Sequence, residues 1–251
     1  MNKKVMLLIS VICYVEILCG ANPMADNYIS KMLAKQTPYE VAILDATIKI
    51  RKNSVYPPGN LTRMFANYLL QHEVIKDKII ADVGAGAFAL GIVMAQHGAY
   101  LALGTDISDD AIACAHENII INGVQDNAFV FQGQGVNPLE EQYQGKIDIL
   151  LSGAPWDTIS SFDFEQISEE RKLLSRAFYD VEDQLLTSVF TQGFNLLAPH
   201  GKMFITACLN IMPRIEQLCL KYQVSYKIVD AQDLHNDGNI HYILEITLLK
   251  K

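Results

Sequence analysis

The sequence contains no internal repeat and no low-complexity tract, and its charged residues are few for its size. Charged residues make up 19% of the 251 residues and hydrophobic residues 50%, a globular composition that excludes a disordered chain. The absence of a repeat at a fixed period excludes a solenoid or a propeller. A chain of this length buries one sizeable core, so we expect one α/β domain with an N-terminal addition.

Basic residues are scarce. The chain has 20 lysines and arginines against 28 acidic residues, which gives a net charge of −8. The densest basic clusters are Lys3-Lys4 and Arg51-Lys52, and neither is interleaved with aromatic residues. An acidic surface repels phosphate backbones, so the composition disfavours a nucleic-acid partner.

Cysteine and histidine are sparse and scattered. The five cysteines, Cys13, Cys19, Cys114, Cys208 and Cys219, match no zinc or redox spacing, and their odd number does not suggest a disulfide framework. The histidines lie apart and show no metal-ligand spacing. We therefore expect buried, reduced thiols and infer no metal site.

The N-terminal apolar run, from Val5 to Leu18, is too short to span a bilayer comfortably and is interrupted by Glu16. Lys3-Lys4 before it and Gly20-Ala21 after it give residues 1–21 the outline of a secretory signal, which would export the protein. The alternative is an N-terminal element packed against the domain. We favour a cytoplasmic location, because Glu16 weakens the signal pattern and the cofactor inferred below is kept in the cytosol.

What the sequence does contain is an alternation of strands and helices. Short apolar runs predict strands at residues 78–83, 100–105, 128–131, 147–151, 202–207, 225–229 and 241–248. Helical spacing predicts helices at residues 62–72, 87–96, 109–121, 182–197 and 212–222. This order predicts a Rossmann-like, doubly wound α/β sheet that is mainly parallel, has about seven strands and carries an antiparallel edge strand. The ligand of such a sheet binds at the carboxyl ends of its strands.

A glycine loop follows the first of these strands. Asp82-Val83-Gly84-Ala85-Gly86 opens a helix, and its glycines let the backbone approach a ligand closely. Asp106, about twenty residues further on, ends the second strand, where a carboxylate binds the hydroxyls of a ribose. Gly84-x-Gly86-x-x-Ala89 also satisfies a loose dinucleotide fingerprint. Asp82, however, would repel a pyrophosphate, which argues against a nicotinamide dinucleotide.

The same residues resemble a known family. Residues 81–86 look like motif I of class I S-adenosylmethionine-dependent methyltransferases, and residues 105–108 are similar to their second motif. The second stretch and its helix are closest to the subgroup of release-factor glutamine methyltransferases and small-domain methyltransferases. The segment Val55-Tyr56-Pro57-Pro58 resembles the segment before motif I in the release-factor branch. The resemblance implies a methyltransferase domain over residues 55–251. Residues 1–54 would form an N-terminal extension that is helical after the signal-like segment 1–21.

The resemblance implies that the cofactor is S-adenosylmethionine. Its candidate contacts are Asp82, Gly84, Ala85, Gly86, Asp106, Ile107, Gln134 and Ser152. Asp106 would hold the ribose hydroxyls and Ile107 would flank the adenine. Gln134 stands where the family has an adenine-binding acid, and its carbonyl is still an acceptor for the adenine amino group. Phe88 replaces the third glycine of motif I, and it either narrows the pocket or belongs to the helix core.

The candidate catalytic segment departs from the family pattern. Where the glutamine-methylating relatives carry Asn-Pro-Pro-Tyr, this chain has Gly153-Ala154-Pro155-Trp156 after Ser152. Ser152, Gly153, Pro155 and Trp156 are the candidate catalytic residues, and Tyr56 and Trp156 are the candidate acceptor-binding residues. The enzyme would then methylate a different nucleophile, methylate a similar nitrogen through backbone groups alone, or bind the cofactor without turnover.

The function expected from these observations is transfer of a methyl group to a nitrogen or oxygen of a protein side chain or a small molecule. Alignment of the acceptor with an activated methyl supplies most of such catalysis. Two alternatives stay open, a non-catalytic S-adenosylmethionine-binding protein and an NAD(P)-dependent oxidoreductase. No integral membrane segment is expected.

Overall fold

A computed structural model describes residues 22–53 and 55–249 of the chain. The signal-like segment 1–21, with Cys13 and Cys19, lies outside the described residues. The strands, in chain order, are β1 (Tyr39–Ile43), β2 (Ala46–Ile50), β3 (Ile79–Val83), β4 (Leu101–Asp106), β5 (Ala128–Gln132), β6 (Ile147–Gly153), β7 (Asp157–Ile159), β8 (Tyr179–Val181), β9 (Leu197–Cys208), β10 (Val224–Gln232) and β11 (His241–Leu248). The α-helices are α1 (Pro23–Leu33), α2 (Asn60–His72), α3 (Ala89–Gln96), α4 (Asp109–Ile121), α5 (Glu140–Tyr143), α6 (Ser161–Glu165), α7 (Glu169–Ser175), α8 (Gln184–Leu196) and α9 (Met212–Tyr222).

Seven strands form the central sheet in the order β10-β11-β9-β6-β3-β4-β5. The five strands from β9 to β5 run parallel, and β11 pairs antiparallel with both β9 and β10. The predicted Rossmann-like fold class is therefore confirmed. The chain leaves β3 toward β4 and later returns to pair β6 on the other side of β3, which makes the carboxyl end of β3 the switch point of the sheet.

The sheet is buried on both faces, which explains why its strands have continuous apolar sequences. On β6, Ile149 and Leu151 belong to one hydrophobic cluster, whereas Leu150 between them belongs to the cluster on the opposite face. Successive side chains of a strand point to opposite faces, so a strand covered on both sides needs apolar residues at every position. Among the described residues, no helix is long and apolar enough to cross a membrane.

The N-terminal extension differs from the prediction of a helical segment. α1 is helical, but β1 and β2 form an antiparallel hairpin. The hairpin packs its isoleucines into the core beside α3 and α4, and Asn118 of α4 accepts a hydrogen bond from Lys49 N at 2.8 Å. Residues 39–50 alternate apolar and polar side chains, a strand pattern that tertiary packing on α4 fixes. The extension thus shares its hydrophobic core with the rest of the chain.

A third hydrophobic cluster lies above the carboxyl edge of the sheet. Helix α1 packs there against the segment that follows β6, and the cluster centres on Ile29, Phe164, Leu174 and Phe178. We call residues 23–33 together with residues 157–181 the cap. The pairing of β7 with β8 ties together the two ends of the second part, and the hydrogen bond from Asn22 N, next to α1, to Tyr179 Oη (3.0 Å) joins the two parts.

Candidate active site

A cavity of about 260 Å³ opens at the carboxyl ends of β3, β4 and β6, where the fold class places a ligand. The glycine loop and Asp106 line one part of it, and residues 153–156 with the cap line another. Of the candidate residues, the structure brings these together around the cavity: Tyr56, Asp82, Gly84, Ala85, Gly86, Asp106, Ile107, Gln134, Gly153, Pro155 and Trp156. Ser152 is the one candidate that does not line it.

The glycine loop is held in shape by backbone hydrogen bonds. The N–H groups of Gly84 and Ala85 both donate to the Thr105 carbonyl at 2.9 Å. Gly84 and Gly86 have φ angles of +77° and +54°, a left-handed conformation that favours glycine. A β-carbon built on Gly86 would meet nothing within 4 Å, so the loop presents open space to the cavity at that position.

Asp106 is fixed at the end of β4 by two backbone donors. Its Oδ2 accepts a hydrogen bond from Gly86 N and its Oδ1 accepts one from Ser108 N, each at 2.9 Å. Each carboxylate oxygen accepts more than one hydrogen bond, so both retain capacity for a ligand in the cavity. Burial raises the pKa of Asp106, while the N–H groups around it and the Arg176 guanidinium act in the opposite direction.

Asp82 lies at the bottom of the cavity and is only 5% exposed. Burial, with a smaller contribution from the charge of Asp106, raises the pKa of its carboxyl to about 7. A cationic group in the cavity would favour its ionised form. A polyanionic ligand would face two carboxylates, which agrees with the argument against a pyrophosphate.

Phe88 is a core residue and does not narrow the cavity. Its side chain is fully buried and lies outside the set of lining residues. The ring occupies space beside Gly91 and Gly104, where an added β-carbon would lie 2.0 Å and 2.7 Å from the nearest ring atom. Phe88 has a left-handed φ of +63°, so the backbone at this position has a conformation that favours glycine. Its phenyl ring fills the space that Gly91 and Gly104 leave by having no side chain.

Gln134 and Ile107 reach the same part of the cavity from neighbouring loops. Both are exposed, Ile107 at 46%, so a ligand would cover them. The hydroxyl of Thr105 donates to the Gly135 carbonyl at 2.7 Å, which ties the Gln134 loop to the end of β4. An apolar side chain and an amide at this place suit a flat heteroaromatic ring with exocyclic polar groups.

The segment Gly153–Trp156, which we call the acceptor loop, is anchored at its backbone. Ala154 N donates to the Thr206 carbonyl at 3.3 Å, and the Pro155 carbonyl accepts from Arg214 Nη1 at 3.4 Å. Gly153 carries no side chain toward the cavity, so polar contacts from this part of the loop come from its backbone.

Trp156 joins the cavity to the aromatic part of the cap. Its ring centroid lies 4.9 Å from that of Tyr28 and 5.2 Å from that of Phe178, both in edge-on geometry. Tyr56 packs edge-on against Phe178 at 5.2 Å, and burial raises its pKa to about 12. The Tyr56 hydroxyl is therefore neutral at physiological pH, which makes it available as a hydrogen-bonding group and not as a base.

Ser152 faces away from the site. Its side chain is fully buried, and its hydroxyl donates to the Val83 carbonyl at 2.8 Å. The hydroxyl is committed to joining β6 to β3, so we remove Ser152 from the candidate catalytic and cofactor-binding residues. When a strand is buried on both faces, its sequence does not indicate which face of the sheet each side chain is on.

Several residues in or beside the cavity escaped the sequence interpretation. Tyr179 and Asp180 of the cap line it. Tyr28 of α1 packs on Trp156, and Arg214 reaches the acceptor loop from α9. Asp180 lies in an acidic stretch that is typical of a solvated helix face, yet it is buried. The apolar neighbours Phe178 and Val181 were the available signal for a short strand at this point.

The sequence comparisons name methyltransferases. Residues 61–157 match the family described as ribosomal protein L11 methyltransferase (PrmA). An enzyme of that name from Lactobacillus johnsonii is 29% identical over 116 residues, covering 46% of this chain and 36% of that protein. A protein of Methanocaldococcus jannaschii, named as a candidate N5-glutamine methyltransferase, is 28% identical over 178 residues, covering 62% of this chain and 86% of that protein. Protein arginine N-methyltransferase 1 of Saccharomyces cerevisiae is 30% identical over 128 residues, 50% of this chain and 34% of that protein.

Solved structures show the same fold. The ribosomal protein L11 methylase of Lactobacillus delbrueckii subsp. bulgaricus superposes with a TM-score of 0.54 at 19% identity, covering 84% of this chain and 100% of that chain. The tRNA (uracil-54, C5)-methyltransferase of Pyrococcus abyssi, solved with S-adenosyl-L-homocysteine, gives 0.55 at 17% identity, covering 84% of this chain and 45% of that chain. The resemblance predicted from the motifs is confirmed, although the match spans only about a third of the length of the L. johnsonii protein.

Proposed function

We propose that this chain, a class I S-adenosylmethionine-dependent methyltransferase by its fold and relatives, transfers a methyl group to a nitrogen or oxygen of a protein side chain. One observation carries the proposal. The glycine loop with Asp106 and the acceptor loop with Trp156 line a single cavity at the adjacent ends of β4, β3 and β6. The residues proposed to bind the cofactor and those proposed to bind the acceptor therefore lie at the ends of neighbouring strands and face one cavity.

The residues present fit S-adenosylmethionine. When bound, this cofactor supplies a methyl group activated by a positively charged sulfur. Gly86 offers open space, Asp106 has acceptor capacity for two hydroxyls, and Asp82 provides a carboxylate for an ammonium group. Gln134 and Ile107 form the exposed edge suited to a purine. The two carboxylates disfavour a pyrophosphate, which counts against the nicotinamide alternative.

In this proposal the acceptor loop works by alignment. Methyl transfer to a neutral nucleophile requires the reacting atoms at near-attack distance more than it requires an acid or a base. Gly153 and Ala154 offer backbone groups to the acceptor, and the ring of Trp156 packs against it. With Gly153 in place of an asparagine and Ser152 turned away, backbone carbonyls take over the orientation of the acceptor atom.

The relatives support a protein as the acceptor. Their names refer to ribosomal protein L11, to the N5 atom of glutamine and to arginine, all of which belong to proteins. The cavity is also open at the cap, where Leu173 and Arg176 lie exposed beside it, so a side chain on a larger surface has a way in. The cytoplasmic location stays a prediction, as does the boundary between residues 54 and 55.

We further propose that residues 22–53 complete the acceptor end of the domain, since Tyr28 packs on Trp156. The proposed activity is tested with S-adenosylmethionine carrying a labelled methyl group and a cell extract split into protein and small-molecule fractions. Label in the protein fraction is the expected result. Label in the small molecules alone would contradict a protein acceptor, and cofactor binding without any labelled product would favour the non-catalytic alternative.

A further inference from the structure

Arg214 lies in the first turn of α9, outside every motif found in the sequence, and only 12% of its side chain is exposed. Its Nη2 lies 3.0 Å from Asp180 Oδ2, and its Nε lies 2.7 Å from Asp183 Oδ1. Its remaining terminal nitrogen, Nη1, donates to the Pro155 carbonyl at 3.4 Å. One planar guanidinium thus joins the cap, the start of α8 and the acceptor loop.

Asp180 connects this contact to the cofactor side of the cavity. Its Oδ1 accepts a hydrogen bond from Leu185 N at 2.8 Å, and its Oδ2 accepts one from Leu186 N at 3.2 Å. These N–H groups belong to the first turn of α8, which has no other partner for them within the helix. The side chain of Leu185 in turn lies 3.2 Å from the place of a β-carbon on Gly84. The chain of contacts from Pro155 therefore ends beside the glycine loop.

Apart from the packing of the Trp156 ring on Tyr28 and Phe178, the acceptor loop is held through its backbone. Pro155 has no N–H to donate, and Gly153 has no side chain to pack. Ala154 N is bonded to the Thr206 carbonyl on one side of Pro155, and Arg214 binds the Pro155 carbonyl on the other. A guanidinium suits this position because its planar fork directs donors at two carboxylates and a carbonyl in fixed directions, whereas an ammonium group is a compact point charge without that planar geometry.

We propose that Arg214 is a positioning residue for methyl transfer, which fixes the acceptor loop opposite the glycine loop through Pro155 and Asp180. The inference rests on the proposed function. Arg214 takes no part in bond making and does not line the cavity.

Trp156 makes this testable without knowledge of the acceptor, because it is the only tryptophan of the chain and lies in the acceptor loop. We compare acrylamide quenching of its fluorescence in the wild type, in R214M and in R214K. A freed loop exposes Trp156 more often, so the quenching constant is expected to rise roughly twofold in R214M and less in R214K, which keeps the charge but loses the fork. Affinity for S-adenosylhomocysteine, measured by calorimetry, should stay within about threefold of the wild type.

K202M is the matched control. Lys202 pairs with Glu73 at 2.7 Å, so this variant also breaks a partly buried ion pair, but away from the acceptor loop. It should leave the quenching constant unchanged. Wild-type quenching in R214M and R214K, with or without a lower melting temperature, would overturn the inference. A loss of cofactor affinity far larger than the change in quenching would overturn it too, because Arg214 would then support the glycine loop. Failure of the wild type itself to bind S-adenosylhomocysteine would instead count against the proposed function.

Discussion

The ring of Tyr28 lies edge-on to the ring of Trp156, with 4.9 Å between their centroids and an interplanar angle of 73°. Tyr28 belongs to α1, which precedes the glycine loop by some fifty residues of sequence, whereas Trp156 follows β6. The contact brings the N-terminal extension into the acceptor end of the cavity. It also connects residues 22–53 with the proposed function.

Replacement of Tyr28 by alanine is expected to loosen the acceptor end without unfolding the sheet. An edge-on aromatic pair contributes about 0.5–1.5 kcal/mol beyond the area that it buries. The fluorescence of Trp156 should shift to longer wavelength as water reaches the ring, while affinity for S-adenosylhomocysteine stays close to the wild-type value. Y100A serves as control, since Tyr100 is 65% exposed and far from the cap. An unchanged Trp156 spectrum in Y28A would show that α1 does not shield the ring.

Replacement of Trp156 by alanine is expected to impair turnover of the acceptor more than binding of the cofactor. The ring lines the acceptor end, while the proposed cofactor contacts lie on the glycine loop and Asp106. We expect transfer of labelled methyl to the protein fraction to fall at least about tenfold, corresponding to about 1.4 kcal/mol in the barrier. Calorimetry with S-adenosylhomocysteine supplies the comparison. Equal losses of transfer and of cofactor affinity would mean that Trp156 is a packing residue.

The pKa of Asp82 predicts a pH dependence of stability. Its carboxyl has an ordinary pKa of 3.8 and a pKa of about 7 in the folded protein, so folding takes up a proton between these values. The contribution of Asp82 therefore lowers the free energy of unfolding as the pH rises from 4 to 7, at roughly 1.4 kcal/mol per pH unit at most. The D82N variant lacks this titration. The free energy of unfolding, measured with urea at several pH values in this range, should give one curve for the wild type and one for D82N, and the two should diverge with pH. Parallel curves for the two proteins would refute the raised pKa.

The same carboxyl links cofactor binding to pH. If Asp82 meets the ammonium group of S-adenosylhomocysteine, its ionised form binds better, and affinity should increase as the pH rises through 7. Calorimetry at several pH values should show this increase in the wild type and a flat profile in D82N. An equal increase in both proteins would assign the pH dependence to another group.

Two substitutions of Phe88 separate the stability that its ring contributes by packing from the cost of its left-handed backbone. F88A removes a fully buried ring and should cost about 3–5 kcal/mol of stability. F88G removes the same ring but suits the φ of +63°, so we expect it to be more stable than F88A by about 1 kcal/mol. Urea unfolding measures both differences. F129A is the control, since Phe129 is 40% exposed. A less stable F88G would mean that its left-handed backbone carries no strain.

Periodicity predicted the central sheet well, because its signals are local. Helix α4 and strand β11 have the predicted bounds, since Asn122-Gly123 ends the former and a polar loop precedes the latter. The hairpin of residues 39–50 was missed because its strands are short and derive their stability from contacts with Asn118 of α4 and with Asn122 just after it, far away in sequence. No pattern within a dozen residues reports such contacts.

The same difference between local and long-range signals decides which residues of the candidate site could be predicted. Residues at the ends of predicted strands, such as Asp82 and Asp106, reached the cavity because parallel strands end at one edge of the sheet. Ser152 did not, because the direction of a side chain on a strand buried on both faces is set by the register. Asp180 and Arg214 come from a cap whose packing the sequence did not reveal.

The central claim is that Asp106 and the glycine loop bind S-adenosylmethionine, and isothermal titration tests it most directly. Wild-type protein and D106A are titrated with S-adenosylhomocysteine, and NADH serves as the control ligand. We expect micromolar binding of S-adenosylhomocysteine by the wild type, none of NADH, and a loss of at least about 100-fold in D106A, or about 2.7 kcal/mol. The account would be contradicted if folded wild-type protein did not bind S-adenosylhomocysteine, or if D106A bound it with near-normal affinity.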